Sequence, residues 1–293
     1  MDPSSSRLRP VTDMSPGDWV TAGVGSFGSG VGALVPRGFE SYARILHPAE
    51  SSEGEPVTWA AVAEWSGGTV HSRAQFAPMS RPRWETRGEN GDLTGQGSGD
   101  EGGRGPAPWD EEPRAGELPS ATLAALCEVL ARHTSTPQRC WFCLWDGHGW
   151  INGSTAMAVL TASTNTDTDT GEGPTSGSGA PVPPAFPPEV LDGPRVHLPG
   201  RDYFLLEGPL DAALELGHLI GEDFFDPQTP NLFWPDDHAW CVATEIDLDS
   251  TYVGGPAALV ADLLADPRLE AWQVDLADPV WADSDDINGR RPS

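Results

Sequence analysis

Residues 240–267 have the sequence WCVATEIDLDSTYVGGPAALVADLLADP, and this stretch decides the fold. In its first half, apolar and polar side chains alternate from Trp240 onward, and a period of two predicts a strand. Its second half has apolar residues at helical spacing between Pro256 and Pro267. Proline is tolerated in the first turn of a helix and is common just beyond its end. The stretch therefore predicts a strand followed by a helix.

The segments on either side of this stretch predict more elements of both kinds. Strands are predicted at 39–47, 140–145, 201–208 and 269–276, with a hairpin return near Trp150. Helices are predicted at 57–68, 118–134 and 209–221, and a loop at 223–238. Because these elements follow one another without a regular βαβ repeat, we expect a single α+β domain, a largely antiparallel sheet with packed helices.

Two inserts are predicted to interrupt this domain, at 86–118 and 161–188. Both are dominated by Gly, Ser, Thr, Pro and acidic residues. Such segments have too few apolar groups to offset the entropy lost on ordering, so we expect both inserts to be disordered. Flexible termini are expected at 1–15 and 283–293, which leaves one domain over 16–282.

The composition excludes several classes of function. The chain has 293 residues and a formal net charge of −27, and all 17 basic residues are arginine. A lysine Schiff base and a P-loop lysine are therefore excluded. No apolar stretch approaches the roughly 18 to 20 residues of a membrane-spanning helix, and no secretory signal is recognisable. Four cysteines do not form a disulfide framework, so the cytoplasm is the expected location.

The negative charge is concentrated in the C-terminal half of the chain. Residues 207–286 contain nineteen acidic residues and one basic residue, Arg268. A field of this sign repels nucleic acid and anionic membranes and attracts cations or basic proteins. We therefore expect a basic protein as partner, and neither nucleic acid nor membrane. Solubility alone is the alternative explanation of the charge.

An aromatic and acidic segment within this half is the candidate partner-binding site. The chain contains 12 tryptophans, and Trp234 lies in a predicted loop among acids. Exposed aromatic side chains are typical of interaction surfaces. The candidate residues are Phe233, Trp234, Asp236, Asp237 and His238, and the two acids are expected to raise the pKa of His238. This predicts a non-catalytic binding protein, and an immunity or antitoxin-like role fits these features.

An alternative function centres on three carboxylates in the opening stretch. On the predicted strand, Glu245, Asp247 and Asp249 share one face, about 6 to 7 Å apart from one to the next. Carboxylates so close repel one another unless they are solvated, protonated or bridged by a cation, and Mg²⁺ or Ca²⁺ would suit oxygen ligands. The alternative is therefore a metal-dependent hydrolase or phosphotransferase. A solvated acidic face is the simpler explanation.

The segment DLDST, residues 247–251, resembles the DxDxT motif of haloacid dehalogenase-like phosphatases. That resemblance implies Asp247 as nucleophile and Asp249 as general acid. The chain departs from the family in two respects: only 42 residues follow Thr251, and no lysine occupies the usual basic position. Both departures count against a phosphatase.

Two further motifs have simpler structural explanations. The glycines of GVGSFG, residues 23–28, are followed by more glycines and by Pro36 where a dinucleotide-binding helix would run. We predict a loop there. Cys140 and Cys143 form a CxxC pair, but residues three apart on a strand face opposite sides. We expect buried structural cysteines rather than a redox pair or a zinc site.

Several blocks together resemble a family of uncharacterised proteins from high-GC bacteria. The blocks are FESYARILHP, RCWFCLWDGHGW, LPGRDYFLLEGPL, NLFWPDDHAWCVATEIDLDSTYVGG and DSDDIN. The resemblance covers most of the chain outside the two inserts. It implies one domain assembled from all these blocks, with the inserts as surface loops, and it implies no catalytic residue.

Overall fold

The computed structural model describes residues 6–83, 105–153, 183–220 and 224–289. Helices and strands both contribute to this part of the chain. The α-helices are α1 (Asp18–Gly23), α2 (Trp59–Ser66), α3 (Phe76–Ser80), α4 (Ser120–Ala131), α5 (Pro188–Leu191) and α6 (Ala257–Ala265). Short 3₁₀ helices span Ser15–Gly17, Val31–Ala33 and Leu210–Glu215. Within these ranges, none of the helices has the length and apolarity that a bilayer crossing requires.

The strands form one large sheet and two small hairpins. They are β1 (Arg9–Pro10), β2 (Ser41–Leu46), β3 (Ala49–Glu50), β4 (Pro56–Val57), β5 (Cys140–Trp145), β6 (Val196–Leu198), β7 (Arg201–Gly208), β8 (Gly217–Ile220), β9 (Phe224–Pro227), β10 (Leu232–Pro235), β11 (Cys241–Thr244), β12 (Ser250–Gly255) and β13 (Ala271–Val274). The large sheet has the order β1-β7-β5-β10-β11-β12-β2-β13, with β6 also paired to β7. Its pairings within the described residues are antiparallel.

This architecture confirms the predicted α+β domain with a largely antiparallel sheet. The predicted strands at 39–47, 140–145, 201–208 and 269–276 are β2, β5, β7 and β13. Helix α4, within the predicted helix at 118–134, buries an apolar stripe of Leu123, Leu126, Cys127 and Leu130. Helix α2 ends at Gly67, whose φ of 76° is the left-handed conformation that glycine adopts without strain.

Both faces of the large sheet are covered. On one face, Phe142 and Phe233 stack with ring centroids 5.8 Å apart and belong to the same core as residues of α4 and α6. On the opposite face, Trp141 and Trp234 lie in a core that includes Val20 of α1. The N-terminal segment therefore closes the side of the sheet that an antiparallel sheet often leaves to solvent.

The predicted loop at 223–238 is wrong, because it contains β9 and β10. Strand β10 lies between β5 and β11 in the middle of the sheet. It is a short apolar run with Pro235 at its end, and it is buried on both faces. A strand buried on both sides does not alternate in polarity, so periodicity could not reveal it.

Three smaller predictions are also corrected. The predicted helix at 209–221 is a 3₁₀ helix, Leu210–Glu215, followed by β8. The predicted return strand near Trp150 is a turn, because β5 pairs with β7 and β10 instead. The helix predicted at 118–134 is α4, which begins at Ser120 and ends at Ala131.

Parts of the two predicted inserts are packed against the domain. Trp109 makes edge-to-face contacts with Trp65 and Phe76, at centroid distances of 5.1 and 5.9 Å. Leu118 and Phe186 are buried. The predicted inserts were therefore too wide, since 105–118 and 183–188 have ordered contacts. The other residues of both inserts lie outside the described ranges.

The predicted flexible termini also contain ordered residues. Leu8 is buried, and Arg9–Pro10 pairs with β7 at the edge of the large sheet. Near the other end, the carboxylate of Asp285 is buried and accepts hydrogen bonds from the backbone N–H groups of Gln75 and Asn288. Both termini were predicted as flexible because neither contains a periodic apolar pattern.

A buried arginine connects β2 to β12 and to the loop before α3. Arg44 is 2% exposed. Its Nε donates to Oγ of Ser250 at 2.8 Å, and its Nη1 donates to the carbonyl oxygens of Ser72 and Ala74 at 3.1 and 2.7 Å. Asp249 lies 3.5 Å from Nη2 and balances the charge. A buried guanidinium needs this complete set of acceptors, because each unpaired donor would cost free energy.

We expect Arg44→Leu to lower the free energy of unfolding by roughly 3 to 5 kcal/mol, because it leaves a partly buried carboxylate and two carbonyls without their donor. Urea unfolding followed by tryptophan fluorescence measures the change. The matched control is Arg81→Leu, at an exposed arginine, where we expect a change within about 0.5 kcal/mol. Equal effects of the two substitutions would contradict this account of Arg44.

Candidate functional site

The predicted aromatic partner surface is wrong in its two aromatic members. Phe233 and Trp234 are both 0% exposed, because they are central residues of β10 that point to opposite faces of the sheet. Neither ring can contact a partner while the sheet is intact. They contribute to stability, and truncating either would cost about 3 to 5 kcal/mol.

Asp237, in the same candidate site, has a structural role. Its carboxylate accepts hydrogen bonds from the N–H and hydroxyl of Ser135, both at 2.7 Å, and from the hydroxyl of Thr134 at 2.8 Å. Burial opposes ionisation, but these hydrogen bonds outweigh it and lower the pKa of Asp237. The residue holds the turn after α4 against the turn after β10.

Asp236 and His238 remain at the surface and border an open cavity of about 450 Å³. The carboxylate of Asp236 is 3.6 Å from Arg139, so part of its charge is neutralised. The His238 ring stacks on Trp19 at 4.4 Å. Burial lowers the pKa of His238 more than Asp236 and Asp237 raise it, so the expected upward shift is wrong.

The three carboxylates of the alternative site do not share a strand face. The strand β11 ends at Thr244, and residues 245–249 form the turn that leads to β12. Arg201 binds Glu245 at 2.8 Å and Asp247 at 2.6 Å through Nη2. Asp249 turns instead toward Arg44, and burial raises its pKa. Two different arginines therefore occupy the positions where a cation was predicted.

This arrangement does not bring a metal-ligand set together. In the described ranges, no group of three or more His, Cys, Asp or Glu side chains is arranged to hold a metal ion. The resemblance to DxDxT phosphatases implied that Asp247 and Asp249 act on one substrate. Here the side chain of Asp247 binds Arg201 and that of Asp249 binds Arg44.

The cysteines are structural, as predicted. Cys127, Cys140, Cys143 and Cys241 are free and buried. Burial raises the pKa of Cys140 to about 12, and it raises the pKa of Cys143 further. A thiol with so high a pKa is a poor nucleophile near neutral pH.

A cleft of about 360 Å³ lies between three segments that are distant in the sequence. Residues 48–56 form one wall and include the β3–β4 hairpin. Residues 111–123 form a second wall and include the first turn of α4, and residues between 213 and 229 close the third side. Each segment alone is an ordinary surface loop, and only the fold brings them together.

Four carboxylates line this cleft, and three of them have no partner among the described residues. Glu117 is 3.6 Å from Arg114. The side chains of Glu50, Glu111 and Glu112 have no hydrogen bond or ion pair within the described part of the chain, although they line the same cleft. Carboxylates that line one cleft without a partner in the chain favour a cationic ligand.

The floor of the cleft is apolar. Leu118, Leu123 and Leu216 are buried there, and Pro119 and Ala213 complete it. The backbone at Leu118 is fixed by the buried Thr229, whose hydroxyl accepts from its N–H at 2.8 Å and donates to its carbonyl at 3.2 Å. An acidic rim over an apolar floor suits a ligand that is both cationic and aliphatic.

Backbone pairing positions the acidic wall. Glu50 of β3 and Glu111 exchange two backbone hydrogen bonds, each 3.0 Å long. This antiparallel bridge places the unpaired carboxylates of Glu50, Glu111 and Glu112 on adjacent positions of the two walls. The wall at 111–117 is therefore fixed by the β3 edge, without a ligand.

A buried histidine holds the same wall from inside. Nδ1 of His47 is 3.0 Å from the carbonyl oxygen of Arg114, so this nitrogen carries the proton. Nε2 then accepts from the Thr251 hydroxyl at 2.9 Å, and Thr244 donates to Thr251 at 2.8 Å. Burial lowers the pKa of His47 to about 4, with Arg44 adding to the effect, so the ring is neutral near pH 7.

The sequence alone did not reveal this cleft. Glu111, Glu112 and Glu117 lie in the segment predicted to be disordered. Trp109 and Leu118 flank these acids, and both pack against the domain. A large aromatic and a leucine on either side of an acidic run were the signal that this part of the insert is anchored.

We expect the free energy of unfolding to fall as the pH decreases from about 6.5 to about 4, by up to about 3 kcal/mol from His47 alone. In this window the unfolded chain binds a proton at His47 and the folded protein does not. Urea unfolding at several pH values measures the slope. His47→Gln is the non-titrating control, and identical pH dependence of the two proteins would contradict the assignment.

For the turn at 245–249, we expect calorimetric titration with Mg²⁺ or Ca²⁺ to show no saturable binding that Asp247→Asn removes. The reason is that Arg201 and Arg44 already neutralise these carboxylates. Saturable binding in the unmodified protein that disappears in Asp247→Asn would restore the metal-dependent alternative.

Comparison with known proteins does not assign the chain to a family. No protein-family model, curated protein or solved structure matches the chain. The resemblance of the quoted sequence blocks to uncharacterised proteins of high-GC bacteria therefore stays a prediction. The function has to be argued from the site itself.

Proposed function

We propose that this chain is a non-catalytic binding protein that engages a basic protein partner, and that the acidic cleft is the main contact. The observation that carries the proposal is the set of unpaired carboxylates, Glu50, Glu111 and Glu112, above an apolar floor. An immunity or antitoxin-like role fits a protein of this kind.

The cleft differs from the acidic C-terminal half in how many of its carboxylates form ion pairs or hydrogen bonds within the chain. Most described acids of 207–286 accept hydrogen bonds or ion pairs from within the chain, as Asp211 and Glu215 do from Arg7. Such carboxylates are already engaged, and a ligand would have to displace an arginine. The cleft carboxylates require no such displacement. A cationic group of a partner binds most favourably where the negative charge of the protein is not already neutralised.

The shape of the cleft suits an arginine or lysine side chain. These residues bury their aliphatic stems along apolar surface and keep the charged head in a polar environment. The accessible apolar surface at Pro119 and Leu214 would contact the stem, and the rim at Glu111 and Glu112 would bind the head. The cleft volume of about 360 Å³ falls in the range of roughly 300 to 1,000 Å³ that is usual for ligand sites.

Part of the surface predicted at 233–238 can still contribute to partner binding. Asp236 and His238 border the second cavity and can contact a partner, whereas Phe233, Trp234 and Asp237 are engaged in the fold. The enzyme alternative has no comparable support, because Asp247 and Asp249 are bound by separate arginines.

We expect the double variant Glu111→Gln/Glu112→Gln to bind a labelled octapeptide of alternating Arg and Gly about five- to tenfold more weakly than the unmodified protein. Fluorescence anisotropy measures the affinity. Because both acids are exposed, the substitutions leave the core intact, and circular dichroism verifies this.

The matched control is Glu53→Gln/Glu55→Gln, which removes the same charge from the adjacent β3–β4 turn outside the cleft. We expect this control to weaken binding less than about twofold, since exposed charges act through screened long-range attraction. Equal losses in the two double variants would mean that net charge, and not the cleft, binds the peptide.

A further inference from the structure

The hairpin of β8 and β9 stands apart from the large sheet. Its two strands pair only with each other within the described residues, with His218 opposite Asp226 and Leu219 opposite Phe225. Successive side chains of a strand point to opposite faces. His218 and Asp226 therefore lie on one face of the hairpin, and Leu219 and Phe225 lie on the other.

The face with the histidine is turned toward the domain. The ring of His218 stacks on Trp150 with centroids 5.1 Å apart and an interplanar angle of 4°. Its Nδ1 is 3.8 Å from the Asp226 carboxylate on the opposite strand. These contacts fix the orientation of the hairpin, so the other face must turn away from Trp150.

That other face exposes two large apolar side chains directly opposite each other. Leu219 is 39% exposed and Phe225 is 38% exposed. The Phe225 ring lies across Gly217, where an added Cβ would be 2.5 Å from its Cζ atom. Paired, exposed apolar residues on a projecting hairpin are typical of a contact surface.

The apolar face of the hairpin continues into the acidic cleft. Pro227 lies two residues after Phe225, hence on the same face, and it lines the cleft with Leu216. The rise of a strand places Pro227 about 6 to 7 Å from Phe225. The exposed apolar pair is thus continuous, through Pro227, with the side of the cleft that faces the two acidic walls.

We propose that this face and the cleft form one docking surface for a basic amphipathic segment of a partner protein. Cationic side chains of the segment bind at Glu111 and Glu112, and its apolar side chains pack on Leu219 and Phe225. The inference rests on the proposed function and adds the partner's apolar residues to it. Charge complementarity selects a basic segment, because an acidic one would be repelled by the rim.

The test compares two labelled octapeptides of equal charge, one alternating Arg with Gly and the other Arg with Leu. We expect Leu219→Thr to weaken binding of the Arg–Leu peptide about fivefold or more and to leave the Arg–Gly peptide within about twofold. Threonine retains strand propensity, so the hairpin is preserved. Phe225→Thr is the second variant, and we expect the same selective loss.

The matched control is Leu264→Gln on α6, since Leu264 is 41% exposed and lies outside the cleft. Glutamine retains helix propensity. We expect this variant to bind both peptides as the unmodified protein does. Equal losses for Leu219→Thr and Leu264→Gln, or no loss in either hairpin variant, would overturn the inference.

The two proposals fail in distinguishable ways. If Glu111→Gln/Glu112→Gln weakens both peptides but the hairpin variants have no effect, only the inference about the hairpin is wrong. If the glutamate variant has no effect on either peptide, the proposed function itself is wrong. A dimer in sedimentation equilibrium that Leu219→Thr dissociates would place a second copy of the chain on this face, and would also overturn the inference.

Discussion

The structure depends on how 17 arginines are distributed among 44 carboxylates. With so few cations, the fold cannot neutralise every acid with an arginine. Arg44 pairs with the partly buried Asp249, and Arg201 bridges Glu245 and Asp247 at the turn before β12. The buried Asp285 is bound instead by His71 and by backbone N–H groups. Within the described residues, Glu50, Glu111 and Glu112 are among the acids that receive no arginine.

The shortage of arginines also explains why the most acidic part of the chain is not the proposed contact surface for a cation. The acids of the C-terminal half receive arginines from the N-terminal and central segments, such as Arg7 and Arg201. A high density of acidic residues in the sequence thus indicates where intramolecular ion pairs form. The proposed contact lies instead at Glu111 and Glu112, where the backbone is anchored but the two carboxylates have no partner within the described residues.

Two buried polar groups connect stability to the geometry of the cleft. Arg44 ties β2 to β12, and His47, three residues later, ties the end of β2 to the backbone at Arg114. Together, the hydrogen bonds of Arg44 and His47 form only when the sheet, the turn at 245–249 and the cleft wall are all in place. Loss of either contact would loosen the wall and the sheet together, because buried donors cannot be left unpaired at low cost.

The sequence by itself determined the α+β class, strands such as β2 and β7, helices α2, α4 and α6, and the burial of the cysteines. These features follow from local periodicity and from helix boundaries, which act within about ten residues. Only the tertiary structure decided that Trp234 is inside, that the acids at 245–249 are bound by arginines, and that an acidic cleft joins an apolar hairpin. Those outcomes depend on contacts between residues that are far apart in the chain, such as Arg44 and Asp249. A local sequence pattern does not determine which distant side chain will form such a contact.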